Sequence, residues 1–250
     1  MTNFGGMLSM PVARATLREK GRGFLSVGVG ALFVLSAVSN AAQNRLADEA
    51  FSGFAHLFLI VFTMSLGAGL IADEIESGHA QLVLLRPLTR AEWFGGRLAG
   101  ATAVLWATIL TAWLGGGIGA LVKGGALTLS WAVTLPLTLI EGLAWMAVLA
   151  ALSVLFTKWM NVGFVILVTL VYFFASFSVP MVLGKPQLMD TMRTIGHYLG
   201  PQGLDDVMRT VRIGQRPLVA SVFYDLVWVF GPWLLGALFL NRRELARRRG

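Results

Sequence analysis

The chain has no cysteine. Disulfides, thiolate metal sites and cysteine nucleophiles are therefore excluded together. Charge is also scarce: 13% of residues are Asp, Glu, Lys or Arg, where a soluble domain carries about 25%. Only three histidines occur, His56, His79 and His197, and none stands at a metal-binding spacing such as H-E-x-x-H. No G-x-S-x-G nucleophile elbow is present. The only Gly-Lys pair, Gly184-Lys185, lacks the upstream glycine of a Walker A loop and is followed by Pro186. The chain therefore has no P-loop of its own with which to hydrolyse ATP, and no paired acid and base suggests an enzyme.

Hydrophobic side chains are abundant. They make up 56% of the 250 residues, and the mean hydropathy is +0.72. Several apolar runs reach the roughly 20 residues that cross about 30 Å of hydrocarbon. The pattern predicts an all-α membrane protein with six spans, at about 24–42, 53–72, 97–121, 129–156, 160–183 and 218–240. The chain reads as one domain without a repeat of fixed period, and without the matched broken helices of a secondary carrier. No cleavable signal peptide is expected, because a long basic segment precedes the first apolar run and no small-residue cleavage motif follows.

The net charge of +7 raises the possibility of nucleic acid, but the distribution of the charge favours membrane orientation. With the N-terminus inside, Arg14, Arg18, Lys20, Arg22, Arg86, Arg90, Arg97, Lys158, Arg242, Arg243, Arg247, Arg248 and Arg249 lie on the inner side. Arg45, Lys123, Lys185, Arg193, Arg209, Arg212 and Arg216 lie outside. The inner excess places both termini in the cytoplasm. Trp93, Trp131 and Trp159 fall at the expected interfaces.

Met10 to Phe24 mixes Val12, Leu17 and Phe24 with Arg14, Arg18, Lys20 and Arg22, and Pro11 suits a helix start. This reads as a basic amphipathic helix on the cytoplasmic interface, or else as a basic tail. The outer loop Gly184–Pro217 repeats Leu188, Met192, Ile195 and Leu199 at helical spacing, then Leu204, Val207, Met208 and Val211. Two short helices around the Gly200-Pro201 break fit this pattern. The 29 glycines include Gly96-x-x-x-Gly100 and Gly115-x-x-x-Gly119 on the third span, where small residues let helix backbones approach closely.

Two features invite a functional reading. Glu141 stands near the middle of the fourth span, where a charge is costly. It either faces a translocation path or subunit interface, or braces the bundle. The second feature is the insert from Ile71 to Gly100. It runs through the acidic Asp73, Glu74 and Glu76, the Ser77-Gly78 break, the run Leu82-Val83-Leu84-Leu85 and the turn Arg86-Pro87-Leu88-Thr89-Arg90. Four successive apolar residues flanked by charge suit a short helix docking on a soluble partner, although a solvated loop packed under the bundle is the plainer alternative.

The order of that insert resembles the coupling region of type-2 ABC exporter permeases, in the branch that includes copper-enzyme-maturation (nitrous-oxide-reductase accessory) permeases. There the pattern is an acidic residue, a glycine, a leucine run and then Arg/Ser-Pro-(Ile/Leu)-(Ser/Thr)-Arg. The resemblance implies that Asp73, Glu74, Glu76, Gly78, Leu82, Leu84, Leu85, Arg86, Pro87 and Arg90 form an ATPase-docking surface. It further implies an N-terminal elbow helix, a cytoplasmic coupling helix and a second permease copy. The implied location is the bacterial inner membrane, with no cofactor in this chain and with ATP and magnesium on the partner ATPase. The competing class is a membrane-embedded enzyme or assembly factor without an ATPase. Glu141 alone, with no histidine at its depth, does not supply an intramembrane active site.

Overall fold

The computed structural model describes residues 8–43, 58–85, 88–127, 129–157, 159–185, 187–189, 191–192, 200–201 and 218–242. The described residues are helical almost throughout. In chain order the helices are α1 (Met10–Arg22), α2 (Phe24–Gln43), α3 (58–67), α4 (Ala72–Glu76), α5 (His79–Leu84), α6 (Arg90–Val122), α7 (Leu129–Leu155), α8 (Met160–Val182) and α9 (Leu218–Arg242). Five segments are long and apolar enough to cross a membrane: Phe58–Glu76, Arg90–Val122, Trp131–Leu155, Met160–Val182 and Val222–Arg242. Taking α1 and α2, bent by 70° at their junction, as one further unit makes six. These helices are consistent with a multi-pass membrane protein. Most of the segment 184–217, including Leu199, lies outside the described residues, as do residues 53–57.

Contacts between small residues and their neighbours fix the helix directions. Gly30 faces Thr108 and Phe62, while Gly115 faces Val38, so α2 and α6 run parallel. Trp113 stacks on Trp131 with ring centres 3.6 Å apart, and Trp106 Nε1 donates to the Leu139 carbonyl. Rising numbers on α6 thus meet falling numbers on α7, and the two helices are antiparallel. Gly67 packs on Leu149 and Gly142 on Leu59, which makes α3 parallel to α7. A Cβ at Gly236 would meet Phe94 Cζ at 2.6 Å and Ala151 Cα at 3.1 Å, so α9 lies close against α6 and α7. Such approaches hold a bundle together where lipid is as apolar as the helix neighbours. The core gathers Phe33, Phe62, Leu66, Trp93, Phe94, Leu105, Ile109, Met146 and Leu240. By contrast, α8 joins the bundle near its start through Val162 and Val165, and its later residues Val171, Phe173, Phe174 and Val182 face outward.

The third apolar segment begins earlier than its composition indicates. α6 starts at Arg90 and runs 33 residues, about 50 Å at 1.5 Å per residue. That exceeds the roughly 30 Å hydrocarbon thickness, so one end extends beyond it. The start is set by a capping box: Thr89 accepts from the Glu92 N–H, and the Glu92 carboxylate accepts from the Thr89 N–H at 2.8 Å. Trp93 is 1% exposed and packs in the core. Trp159 is half-exposed and holds the left-handed backbone that opens α8.

Candidate functional site

The second apolar segment does not continue as one straight helix into the insert. α3 stops at residue 67, and the chain turns through Ala68–Ile71, where Gly69 has a φ of +65°. A side chain there would be strained and would also meet the Asp73 carboxylate. Interrupting a helix leaves backbone donors and acceptors to satisfy. Side chains from three other helices supply the partners. Asn161 Nδ2, at the start of α8, donates to the Gly67 carbonyl at 3.0 Å. Ser153 Oγ, near the end of α7, accepts from the Ile71 and Ala72 N–H groups, each at 3.0 Å. Arg97, in the second turn of α6, donates from Nε and Nη2 to the Leu70 carbonyl at 3.2 and 3.1 Å. Ser153 and Asn161 are both fully buried.

Arg97 is only 5% exposed and joins more than the break. Its Nη1 donates to Glu19 Oε2 at 2.6 Å and to Thr16 Oγ1 at 3.2 Å, both on α1. Its Nη2 lies 3.3 Å from Glu74 Oε1 on α4. A planar guanidinium with five N–H donors can hold such a divergent set, whereas a lysine ammonium cannot. Lys20 Nζ, 3.7 Å from Glu19 Oε1, completes two cations against two carboxylates. Partial burial would raise the Glu19 carboxyl. The hydrogen bond and charge of Arg97, reinforced by Lys20, outweigh that effect and hold it below its ordinary value of 4.5.

The glycines beside Arg97 explain how α1 comes so near. A Cβ at Gly96 would meet the Ser9 carbonyl at 2.8 Å, and one at Gly100 would meet Thr16 Cβ at 2.6 Å. The Gly96-x-x-x-Gly100 pair thus seats the N-terminal helix on α6. The Ser9 N–H adds a bond to the Glu92 carbonyl at 3.2 Å.

Asp73 and Glu74 sit in the first turn of α4, where acidic side chains suit the helix dipole, and Glu76 ends it. Gly78, with a φ of +76°, makes the turn into α5. Leu85 follows α5 and is 83% exposed. Leu82 and Leu84 lie on α5, but their side chains are outside the described residues, as are Arg86 and Pro87 altogether. Arg90 Nη1 donates to the Leu240 and Asn241 carbonyls at 2.9 and 3.0 Å, capping the end of α9.

Glu141 lies on α7 and is 0% exposed, next to Gly142, which packs on Leu59 and Leu105. Asp225 on α9 is buried too. Arg90 places the end of α9 beside the start of α6, and Ser153 brings the end of α7 to the same end of the bundle, so α7 and α9 run parallel. With Gly236 against Ala151, Asp225 then stands level with residue 140, one position from Glu141. Among the described residues no group of three or more His, Asp or Glu could hold a metal ion.

Neither a scan against protein-family models nor a search of curated proteins returns a match for this chain. Arg97, Ser153 and Asn161 were not among the candidates read from the sequence. One signal was available for Arg97: it stands between Gly95-Gly96 and Gly100, where neighbouring backbone can close over it.

Proposed function

We propose that this chain is the transmembrane subunit of an ATP-driven exporter of the type-2 ABC class. It would work with a separate ATPase subunit that carries ATP and magnesium, and with a second permease copy, in the bacterial inner membrane with both termini cytoplasmic. α1 serves as the elbow helix on the inner surface, and α4–α5 as the coupling segment. The observation that carries the reading is that the insert carries an exposed leucine, Leu85, while its root is bound into the long helices. A push on Leu85 reaches α6 through Arg97, α7 through Ser153 and the α3 break through Leu70. Well-packed elements of this kind move as a body rather than deforming locally. ATP-driven closure of the two ATPase subunits would then tilt the spans of both permeases.

Glu141 belongs to this reading as a path or interface residue, since a carboxyl deep in a span is a functional candidate by default. The experiment is co-purification of the chain with an ATPase bearing a Walker A loop, using the native protein and Leu84→Asp/Leu85→Asp. The substitutions should release the ATPase while the permease stays in the membrane. ATPase recovery unchanged by both substitutions would refute docking at this segment.

A further inference from the structure

A cleft of about 400 Å³ opens where α1 meets α2, on the side of α6. Leu17 and Gly21 of α1, Val27 and Val34 of α2, and Val104 and Thr108 of α6 line it. The Thr108 hydroxyl donates to the Val104 carbonyl at 3.0 Å, so its hydrogen is engaged within α6 and the wall it presents is largely apolar. Beside the cleft, Phe24 is 90% exposed and Val27 is also uncovered. An apolar space of this kind invites a hydrocarbon chain.

The charge next to the cleft specifies which chain-bearing molecule suits it. Arg14, Arg18 and Arg22 recur every four residues of α1 and are all exposed. At 100° per residue they form one stripe immediately beside Leu17 and Gly21. The opposite face, with Val12, Ala13 and Thr16, is the one seated on Gly96 and Gly100 of α6. The arginines therefore flank the mouth of the cleft and lie away from the Arg97 cluster. A guanidinium binds a phosphate oxygen pair through parallel hydrogen bonds. We infer that this corner binds one anionic phospholipid of the bilayer, its phosphate on Arg14, Arg18 and Arg22 and an acyl chain in the cleft between α1, α2 and α6. The lipid fixes the angle between α1 and α2 by filling the space beneath their bend. This inference stands independently of the exporter reading.

Native mass spectrometry of the detergent-purified full chain, titrated with dioleoyl phosphatidylglycerol or dioleoyl phosphatidylcholine, tests it. Each arginine near an anionic headgroup contributes about fivefold in affinity. One tightly held phosphatidylglycerol is expected, preferred over phosphatidylcholine by at least about tenfold. Arg14→Gln/Arg18→Gln/Arg22→Gln should abolish the preference. Ala107→Phe, which fills the cleft from its lining, should remove the bound lipid without touching any charge. Lys123→Gln/Lys185→Gln, remote from the cleft, should change neither. Equal binding of the two lipids would overturn the inference, as would retention of the lipid in Ala107→Phe. An equal loss in the remote lysine variant would also overturn it, by showing a diffuse charge effect.

Discussion

Replacing Arg97 by methionine keeps the bulk of the side chain and removes its charge and all its donors. The Leu70 carbonyl, in a fully buried residue, would lose both hydrogen bonds from the guanidinium. A buried polar group left without its partner costs about 1–3 kcal/mol. Glu74, mostly buried, would lose its nearby cation, for about a further 1 kcal/mol. Glu19 is half exposed and can return to water, so little is added for it. The expected loss is about 2–4 kcal/mol in all, or about 4–16 °C in Tm at 2–4 °C per kcal/mol. Arg97→Lys should fall in between, because an ammonium cannot face α1, α4 and the Leu70 carbonyl together. The assay is thermal unfolding of the purified chain in detergent, followed by size-exclusion fluorescence. Lys123→Met, at an exposed site beyond the end of α6, provides the reference and should shift stability by no more than about 0.5 kcal/mol. If Arg97→Met melts with Lys123→Met, the guanidinium does not hold the cluster together. Acid gives a second arm. The Glu19 carboxyl is held below 4.5, so its contribution is complete above that pH and lost as pH falls through the lowered value. Below about pH 4.5 the native Tm should therefore fall more steeply than that of Glu19→Gln.

Three further outcomes are expected. Gly100→Leu would drive a side chain into Thr16 and the Leu17 backbone, so α1 should detach from α6 and trypsin should cleave at Arg18 faster than in the native chain; unchanged cleavage would refute that packing. Ser153→Ala leaves two buried N–H groups at the start of α4 without their acceptor and should cost about 1–3 kcal/mol in the same unfolding assay, whereas Ser153→Thr should retain part of the bond. Glu141→Gln should preserve expression and assembly but reduce substrate-stimulated ATP hydrolysis in the reconstituted complex; normal transport, or failure to fold, would make the residue a packing element.

The apolar runs made the long helices legible, because a segment that must satisfy its backbone in lipid has little choice but helix. Pro11 and the alternation of Val12 and Leu17 with arginines likewise marked α1. The start of α6 was missed by seven residues, although Thr89-x-x-Glu92 is a capping-box signature; the charges of Arg90, Glu92 and Arg97 masked the helix at its polar end. Gly96 and Gly100 are sites of close approach, as their spacing suggests, but which helix approaches them depends on tertiary structure. The same limit applies to the centre of the candidate site. Arg97 meets groups 23, 27, 78 and 81 residues away in sequence, and Ser153 meets the α3 break from 81 and 82 residues away. As isolated letters they are one more inner-side arginine and one more serine in a span. The Gly67–Gly69 break could have been suspected from its glycines, but its satisfaction by three distant side chains could not.

The most direct test of ATPase docking at the insert is a photo-crosslinker incorporated at Leu85, which is exposed beyond α5. Irradiation in membranes of the source cells, followed by mass analysis of the adduct, should yield a covalent partner containing a Walker A loop. The same probe at Leu183, beyond α8 at the far end of the bundle, should not capture that partner. Capture of no such protein at Leu85, or equal capture at both positions, would contradict the coupling role assigned to this segment.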